Sequence, residues 1–209
     1  MSDKKNKKKA RGDSVRAFFA AHKKDLEEAG KLFSVMNEES ERGCVLVGAS
    51  HIEWRMGEVL RTKFLSQHGE EHCTDNLVTQ INTILNPVAE KSILGSAAAR
   101  ARMCRVMGLI SEETHSALKS LLVFRNEHFA HARTNAKFSD LSIAKALDKL
   151  VKKMPFDFAD FFPEPARDCR SKFAYVVICM DIFLRFGLHP EMKTIAYDAM
   201  RRMCNEKLE

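Results

Sequence analysis

The segment from Leu118 to His131 places an arginine among apolar side chains at helical spacing. At about 100° per residue, Arg125 falls on the same stripe as Leu118, Leu122 and Phe129. A guanidinium on such a face is costly to bury unless an acid or another anion satisfies its donors. The spacing therefore predicts that Arg125 binds either a carboxylate from another helix or an anionic ligand at an interface.

Several acids and two histidines are candidate companions of Arg125. The candidate acids, all on the preceding long helix, are Glu39, Glu41, Glu53 and Glu58. His128 borders the face of Arg125, whereas His131 reaches it only where the helix ends or where two subunits share the site. Histidine is suited to proton transfer because it titrates near physiological pH. A structural ion pair with helix-capping histidines fits the same spacing.

A second pair of histidines has the spacing of a metal site. His68, Glu71 and His72 match the H-x-x-E-H pattern, in which two histidines one helical turn apart share a zinc ion. Gly69 disfavours a firm helix here, and no third ligand can be placed. The six cysteines show no C-x-x-C spacing. We therefore predict a polar loop, no metal or cofactor, and no disulfides.

Three arginines and several aromatic rings are further candidates for nucleic-acid contacts. Arg100, Arg102 and Arg105 form a basic ladder along one predicted helix. Such a ladder is typical of a solvated face, and its guanidinium groups also suit phosphate contacts. The lone tryptophan, Trp54, and a phenylalanine-rich run at 156–162 carry rings on which bases could stack, but such rings more often pack on the core. We assign the rings no site.

The formal net charge of +6 is concentrated at the amino terminus. Six of the first eleven side chains are basic and one is acidic, which places +5 in a tail that includes Lys7, Lys8 and Lys9. A disordered, solvated tail is predicted over residues 1–12. The alternative is an electrostatic arm that binds RNA, DNA or an acidic partner.

Residues 13–209 have the composition of a single globular domain. Of the 209 residues, 45% are hydrophobic and 30% charged, with only five prolines and nine glycines. No apolar run reaches the roughly 18 residues that a membrane span requires, and the basic start lacks the apolar segment of a secretory signal. These features favour an all-α cytoplasmic protein without a membrane partner, and they exclude collagen-like and wholly disordered classes.

Caps and turn residues divide this domain into about seven to eight helices. The predicted segments run from Asp13 or Ser14 to about Met36, from Glu39 to Gln67, from Ser96 to Gly108, from Ser111 to about His131, and onward from Ser139 or Asp140, with two more opening near Pro165 and Pro190. The stretch from His68 to Asn86 is polar and then weakly helical, and it is predicted to be a loop or lid. A boundary is predicted before Pro87, because the residue before a proline avoids the α region. The segment from Glu39 is predicted to be the central helix, because its apolar stripe is long: Val45, Ala49, Ile52, Met56 and Val59.

Four blocks of the chain resemble the mannitol operon repressor (MltR) family, in the same order. The blocks are Glu39–Ala49, Met107–Ser111, Arg125–His131 and Phe138–Asp140. With weaker similarity beyond them, the MltR-like core spans about 39–187. The resemblance implies a regulatory helical bundle without a recognisable helix-turn-helix.

Arg125, Asn126 and His131 also resemble the R-x(4–6)-H motif of the HEPN superfamily of helical dimers. Five residues separate Arg125 from His131, whereas MltR-like chains more often show four, so His128 is kept as a possible substitute. Catalytic relatives are metal-independent endoribonucleases, and others only bind RNA or proteins. In a catalytic role, the histidine would move the proton of the ribose 2′-hydroxyl, Arg125 would stabilise phosphoryl charge, and Asn126 would orient either partner.

We therefore expect a homodimeric MltR-like regulator that binds a protein or a nucleic acid. The alternative is a HEPN-type endoribonuclease or RNA-binding protein that uses Arg125 and His131. The third possibility is a non-catalytic dimeric module that binds a partner. Salt-dependent binding to duplexes would indicate a regulator that binds DNA, and RNA cleavage in EDTA would indicate the endoribonuclease. A protein that shows neither property would be the partner-binding module.

Overall fold

Seven α-helices and one π-helical turn form the part of the chain that the computed structural model describes, which is residues 23–68, 74–86, 88, 92–130, 136–154 and 168–186. The helices are α1 (Lys23–Glu38), α2 (Glu41–Ser66), α3 (Asp75–Leu85), α4 (Ala97–Val106), α5 (Glu112–Arg125), α6 (Leu141–Val151) and α7 (Cys169–Phe186). The π turn, Asn126–Ala130, follows α5 directly. No strand occurs in these ranges, which confirms the predicted all-α helical bundle.

α2 is the central helix, as predicted. Its 26 residues contact α1, α3, α4, α5 and α7 around a shared apolar core. Most of the predicted stripe is buried, and Leu60 continues it in place of the half-buried Val59. The stripe positions that are buried as predicted are Val45, Ala49, Ile52 and Met56.

Serine and threonine side chains begin four of the helices. Each accepts a hydrogen bond from the backbone N–H three residues later, and the four are Ser40, Thr74, Ser96 and Ser111. Gly108 ends α4 with a φ of +67°, while the N–H of Leu109 donates to the Cys104 carbonyl at 2.9 Å. Glycine adopts this left-handed conformation without a Cβ clash. The predicted boundaries at Ser96, Gly108 and Ser111 are therefore confirmed.

The predicted loop or lid at 68–86 is wrong over most of its length, because residues 75–85 form α3. Leu77, Ile81 and Leu85 recur every fourth residue and pack on the core. The polar residues between these three are more numerous, so the helical period is hard to recognise in the sequence. The predicted boundary before Pro87 is confirmed, since α3 stops at Leu85 and Asn86 is extended.

Other predicted boundaries differ by little or lie outside the described residues. α1 continues two residues beyond Met36, and Asp140 precedes α6 as predicted. The cap at Asp13 or Ser14, the tail at 1–12 and the helix starts near Pro165 and Pro190 lie outside the described ranges.

α7 packs against α2 with an unbroken buried stretch from Phe173 to Ile182. Asp181 lies within that stretch, and Arg185 follows one turn later. Among the helices described above, none is both long enough and apolar enough to cross a membrane. The burial of α7 therefore comes from its packing against α1, α2, α5 and α6.

Candidate functional site

Arg125 is the last residue of α5 and meets an acid of the central helix. Its Nη1 donates a hydrogen bond to Glu53 Oε1, and its Nε donates to Asn126 Oδ1 at 3.0 Å. The side chains of Arg125 and Glu53 are 20% and 26% exposed, so the ion pair is half-buried. The expected carboxylate partner is thus Glu53, which the packing of α5 on α2 brings within reach.

The helix that carries Arg125 changes its winding at the predicted motif. The predicted helix to about His131 is confirmed as far as Ala130, but it is α-helical only to Arg125, where α5 ends and the π turn follows. A π turn closes i→i+5 hydrogen bonds and so takes one residue more per turn than an α-helix. Its five residues advance the chain around the axis by about as much as four α-helical residues do. The turn therefore absorbs one extra residue, while His131 lies outside the described residues.

His128, the possible substitute for His131, packs against the core. Its ring meets Phe124 edge-on, with ring centroids 5.3 Å apart. Its Nδ1 is buried and has no hydrogen-bond partner among the described residues. Phe129, which is fully buried, fixes the π turn against Phe138 at a centroid distance of 5.7 Å. Arg125 and Asn126 are therefore presented by a turn that is anchored in the core.

The predicted basic ladder of α4 is only partly exposed. Arg102 and Arg105 lie on the surface, and Arg105 Nε donates to Glu112 Oε2 at 2.8 Å. This exposed pair lowers the pKa of Glu112 through the hydrogen bond from Arg105. Arg102 is left as the exposed rung without a described ion pair, whereas Lys7, Lys8 and Lys9 lie outside the described residues.

Arg100 is a correction to the predicted ladder, because it is buried at 7% exposure. Its Nε donates to the Leu94 carbonyl at 2.8 Å, its Nη1 donates to the Glu53 carbonyl at 2.9 Å, and its Nη2 donates to the Leu85 carbonyl. Buried carbonyls at the end of α3 and before α4 need such donors. Arg100 therefore joins α2, α3 and α4, and its donors are occupied by backbone.

The predicted H-x-x-E-H segment lies mostly outside the described residues. His68 is exposed just after α2, and residues 69–73 are not among those described. In the described ranges, no group of three or more His, Cys, Asp or Glu side chains is arranged to hold a metal ion.

A second polar cluster, which the sequence analysis does not predict, lies between α1, α2 and α7. Asp181 is fully buried and accepts hydrogen bonds from three basic side chains. Its Oδ1 accepts from His51 Nε2 at 2.8 Å and from Arg55 Nε at 2.9 Å, and its Oδ2 accepts from Arg185 Nε at 2.6 Å. We call these four residues the Asp181 cluster.

Two further side chains border the Asp181 cluster. Glu28 of α1 is 44% exposed, and its Oε2 lies 3.2 Å from Arg185 Nη1 and 3.8 Å from Arg55 Nη2. Trp54 is half-exposed, and the Arg55 guanidinium lies 4.5 Å from the centre of its ring. The His51 ring lies 5.4 Å from the same indole. The cluster thus reaches the surface beside a carboxylate and an aromatic ring.

The charge of Asp181 is stabilised against strong desolvation. Burial by itself raises the pKa of Asp181, but the hydrogen bond from His51 and the positive charge of Arg185 outweigh it, so the pKa lies below its usual value. Two sequence signals could have located the cluster. His51 and Arg55 are four residues apart on α2, and Asp181 and Arg185 are four apart in the apolar α7.

Comparison of the chain with protein-family models, with curated proteins and with solved structures finds no match.

Proposed function

We propose that this protein is an MltR-like helical regulator that acts by binding a nucleic acid or a protein partner. The main support is that blocks with this resemblance, distant in sequence, meet in one contact network. The Glu41 carboxylate of the first block accepts a hydrogen bond from the Phe138 N–H of the last block at 2.6 Å. Phe138 packs in turn on Phe129 of the third block.

The remaining block forms the turn between α4 and α5. Gly108 supplies its positive φ, Ile110 is buried, and Ser111 caps the helix that ends in Arg125. The four blocks therefore define the frame that joins α2, α4, α5 and α6. Four blocks that build one frame support the proposed resemblance more strongly than a single short motif does.

The contacts of Arg125 favour a regulator over a nuclease. Two of its nitrogen atoms already donate within the chain, to Glu53 and Asn126. In a nuclease, Glu53 would compete with the substrate phosphate for the guanidinium. A half-buried ion pair that stabilises the fold accounts for both contacts without a substrate.

Binding to duplex nucleic acid tests the proposed regulator. The basic tail carries +5 of the net charge, so we expect the affinity of the full chain for duplex DNA or RNA to fall steeply with salt. Deletion of residues 1–11 should weaken binding and reduce the salt slope, while the midpoint of thermal unfolding stays the same. Equal affinity and salt slope after the deletion would exclude a role of the tail in nucleic-acid binding. If the full chain does not bind duplexes at low salt, the proposed regulator must act on a protein partner.

A metal-independent endoribonuclease is the second candidate, and the π turn favours it. The π turn accommodates the extra residue of the motif, because it takes one residue more per turn than an α-helix does. Arg125, Asn126 and His131 therefore remain the candidate catalytic residues. In this role Arg125→Ala and His131→Ala would each abolish RNA cleavage in EDTA and leave the fold largely intact.

The two candidates separate when cleavage and stability are measured on the same variants. In the structural role, Arg125→Ala should cost between about 1 kcal/mol, as for an exposed pair, and about 3–5 kcal/mol, as for a buried one. If the wild-type chain does not cut RNA and Arg125→Ala is destabilised, the nuclease is excluded and the regulator remains. Sedimentation of the same samples tests the homodimer that both candidates predict.

A further inference from the structure

The Asp181 cluster contains more positive charge than its own carboxylate can neutralise. Among the described residues, the two guanidinium groups of Arg55 and Arg185 converge on one buried acid, Asp181, which the His51 ring also contacts. Glu28 supplies a second negative charge, but its side chain is 44% exposed. It forms no hydrogen bond to Arg55, whose Nη2 is buried and finds no acceptor among the described residues. A buried donor without an acceptor is costly, so among the described residues this corner of the cluster has room for a further acceptor at Arg55 Nη2.

The position of Glu28 shows where an anion can be held. A single oxygen, Glu28 Oε2, faces both Arg55 Nη2 and Arg185 Nη1. Two guanidinium groups directed at one point suit a phosphoryl group, which presents several acceptor oxygens and more charge than a carboxylate. Because Glu28 is on the surface side of the cluster, its side chain can move into solvent as another anion enters.

Trp54 adds an aromatic surface to this anion position. Its ring is 50% exposed although it contacts both Arg55 and His51. An exposed indole next to a phosphate position is suited to stack on the flat ring of a ligand. Trp54, His51 and Arg55 all come from one stretch of α2, residues 51–55, so this side of the site is held by the most extensively packed helix of the described bundle.

We propose that the Asp181 cluster and Trp54 form a site for a small nucleoside monophosphate, with the phosphate between Arg55 and Arg185 and the base on Trp54. Glu28 occupies the phosphate position in the unliganded protein. Asp181 is a positioning residue that fixes His51 and both guanidinium groups. This site uses none of the residues of the proposed Arg125 site, and its existence does not depend on the regulatory function.

Fluorescence of Trp54, the only tryptophan of the chain, tests the proposal directly. The full chain is titrated with adenosine 5′-monophosphate, and separately with adenosine and with inorganic phosphate. We expect a saturable change with the nucleotide, at least about tenfold weaker binding of either fragment, and competition by inorganic phosphate. No saturable change, or binding that inorganic phosphate does not displace, would overturn the proposal.

Paired variants identify the anion position. Glu28→Gln removes the competing carboxylate and should tighten nucleotide binding by about tenfold, whereas Glu38→Gln, an exposed acid at the end of the same helix, should leave it unchanged. Arg55→Lys keeps the charge but loses the forked donor geometry and should weaken binding by about tenfold. Equal affinities in Glu28→Gln and Glu38→Gln would mean that the cluster is only a structural ion network.

Discussion

Asp181 is fully buried, and its carboxylate is held by hydrogen bonds from His51, Arg55 and Arg185. Removal of one partner of a buried ionic network leaves the other charges without compensation in a medium of low dielectric constant. The Lys172–Asp148 pair has a similar separation of 2.7 Å, but Asp148 is 50% exposed. Burial rather than distance therefore decides how much each carboxylate contributes to stability.

Asp181→Asn should lower the free energy of unfolding by about 3–5 kcal/mol at pH 7, because it removes the only fully buried counter-charge that the described residues give to Arg55 and Arg185. Asp148→Asn removes an exposed pair and should cost at most about 1 kcal/mol. Urea unfolding followed by circular dichroism measures both. Equal costs for the two variants would contradict the ranking by burial.

The contribution of Asp181 should also depend on pH in a specific window. The pKa of Asp181 is lower in the folded protein than its usual value of 3.8, with His51, Arg55, Arg185 and Glu28 as the titratable and charged groups that face it. Since the unfolded chain binds this proton more readily, the stabilisation is complete above pH 3.8 and is lost as the pH falls through the folded pKa.

The wild-type and Asp181→Asn stabilities, measured by urea unfolding from pH 7 to pH 2.5, should therefore differ by a constant amount down to about pH 4 and converge below it. Convergence that begins above about pH 5 would indicate a group other than Asp181.

Among the helices, the contact between α2 and α7 depends on a residue without a side chain. A Cβ placed on Gly48 would lie 2.9 Å from Phe173 Cε1 and 2.9 Å from Val177 Cγ2. Gly30 of α1 provides a contrast, since a Cβ there meets no atom within 4 Å. Glycine lowers helix propensity at both positions, but only at Gly48 does packing require it.

Gly48→Ala should therefore destabilise the protein by about 1–3 kcal/mol through overpacking against α7. Gly30→Ala should stabilise it by about 0.5–1 kcal/mol, because alanine favours the helix and meets no neighbour. Thermal unfolding of both variants gives the two signs. If both substitutions shift the midpoint upward, α7 does not pack on α2 as closely as described.

For the whole molecule, one core extends through helices that are far apart in sequence. Cys44 on α2 and Cys104 on α4 are both buried in it as free thiols. Burial raises the pKa of Cys44 to about 11 and that of Cys104 to about 12, although the positive charges of Arg170 and Arg100 act in the opposite direction. The thiolate is the reactive form of cysteine. Both thiols are therefore protected from alkylation because reagents cannot reach them and because they stay protonated.

In native protein at pH 8, iodoacetamide should leave Cys44 and Cys104 unlabelled, while the half-buried Cys169 reacts faster. Across a urea gradient, both buried thiols should become reactive in the same transition, because they belong to one cooperative core. Peptide mass spectrometry measures each site. Separate midpoints for Cys44 and Cys104 would show that α2 and α4 unfold independently.

Local chemistry in the sequence determined the all-α class, the central position of α2 and several helix boundaries. Ser96, Ser111 and Gly108 act on backbone groups within a few residues of themselves, so their effect can be predicted from the chain alone. The apolar stripe of α2 can also be recognised from the sequence, because only the helical spacing of its residues is required. The polar composition of α3 misled the prediction because its polar residues outnumber the four that contact the core, which are Leu77, Ile81, Ile84 and Leu85.

The partners of charged side chains were decided by the tertiary structure. The position of Arg125 on an apolar face predicted either a carboxylate partner or an anionic ligand, but only the packing of α5 on α2 selected Glu53. The sequence predicted Arg100 to be exposed with Arg102 and Arg105. In the structure it is buried and donates to three backbone carbonyls from separate parts of the chain. The Asp181 cluster joins residues about 130 positions apart in the chain. Such contacts depend on how helices cross, and helical periodicity specifies which face of a helix is buried without specifying what that face meets.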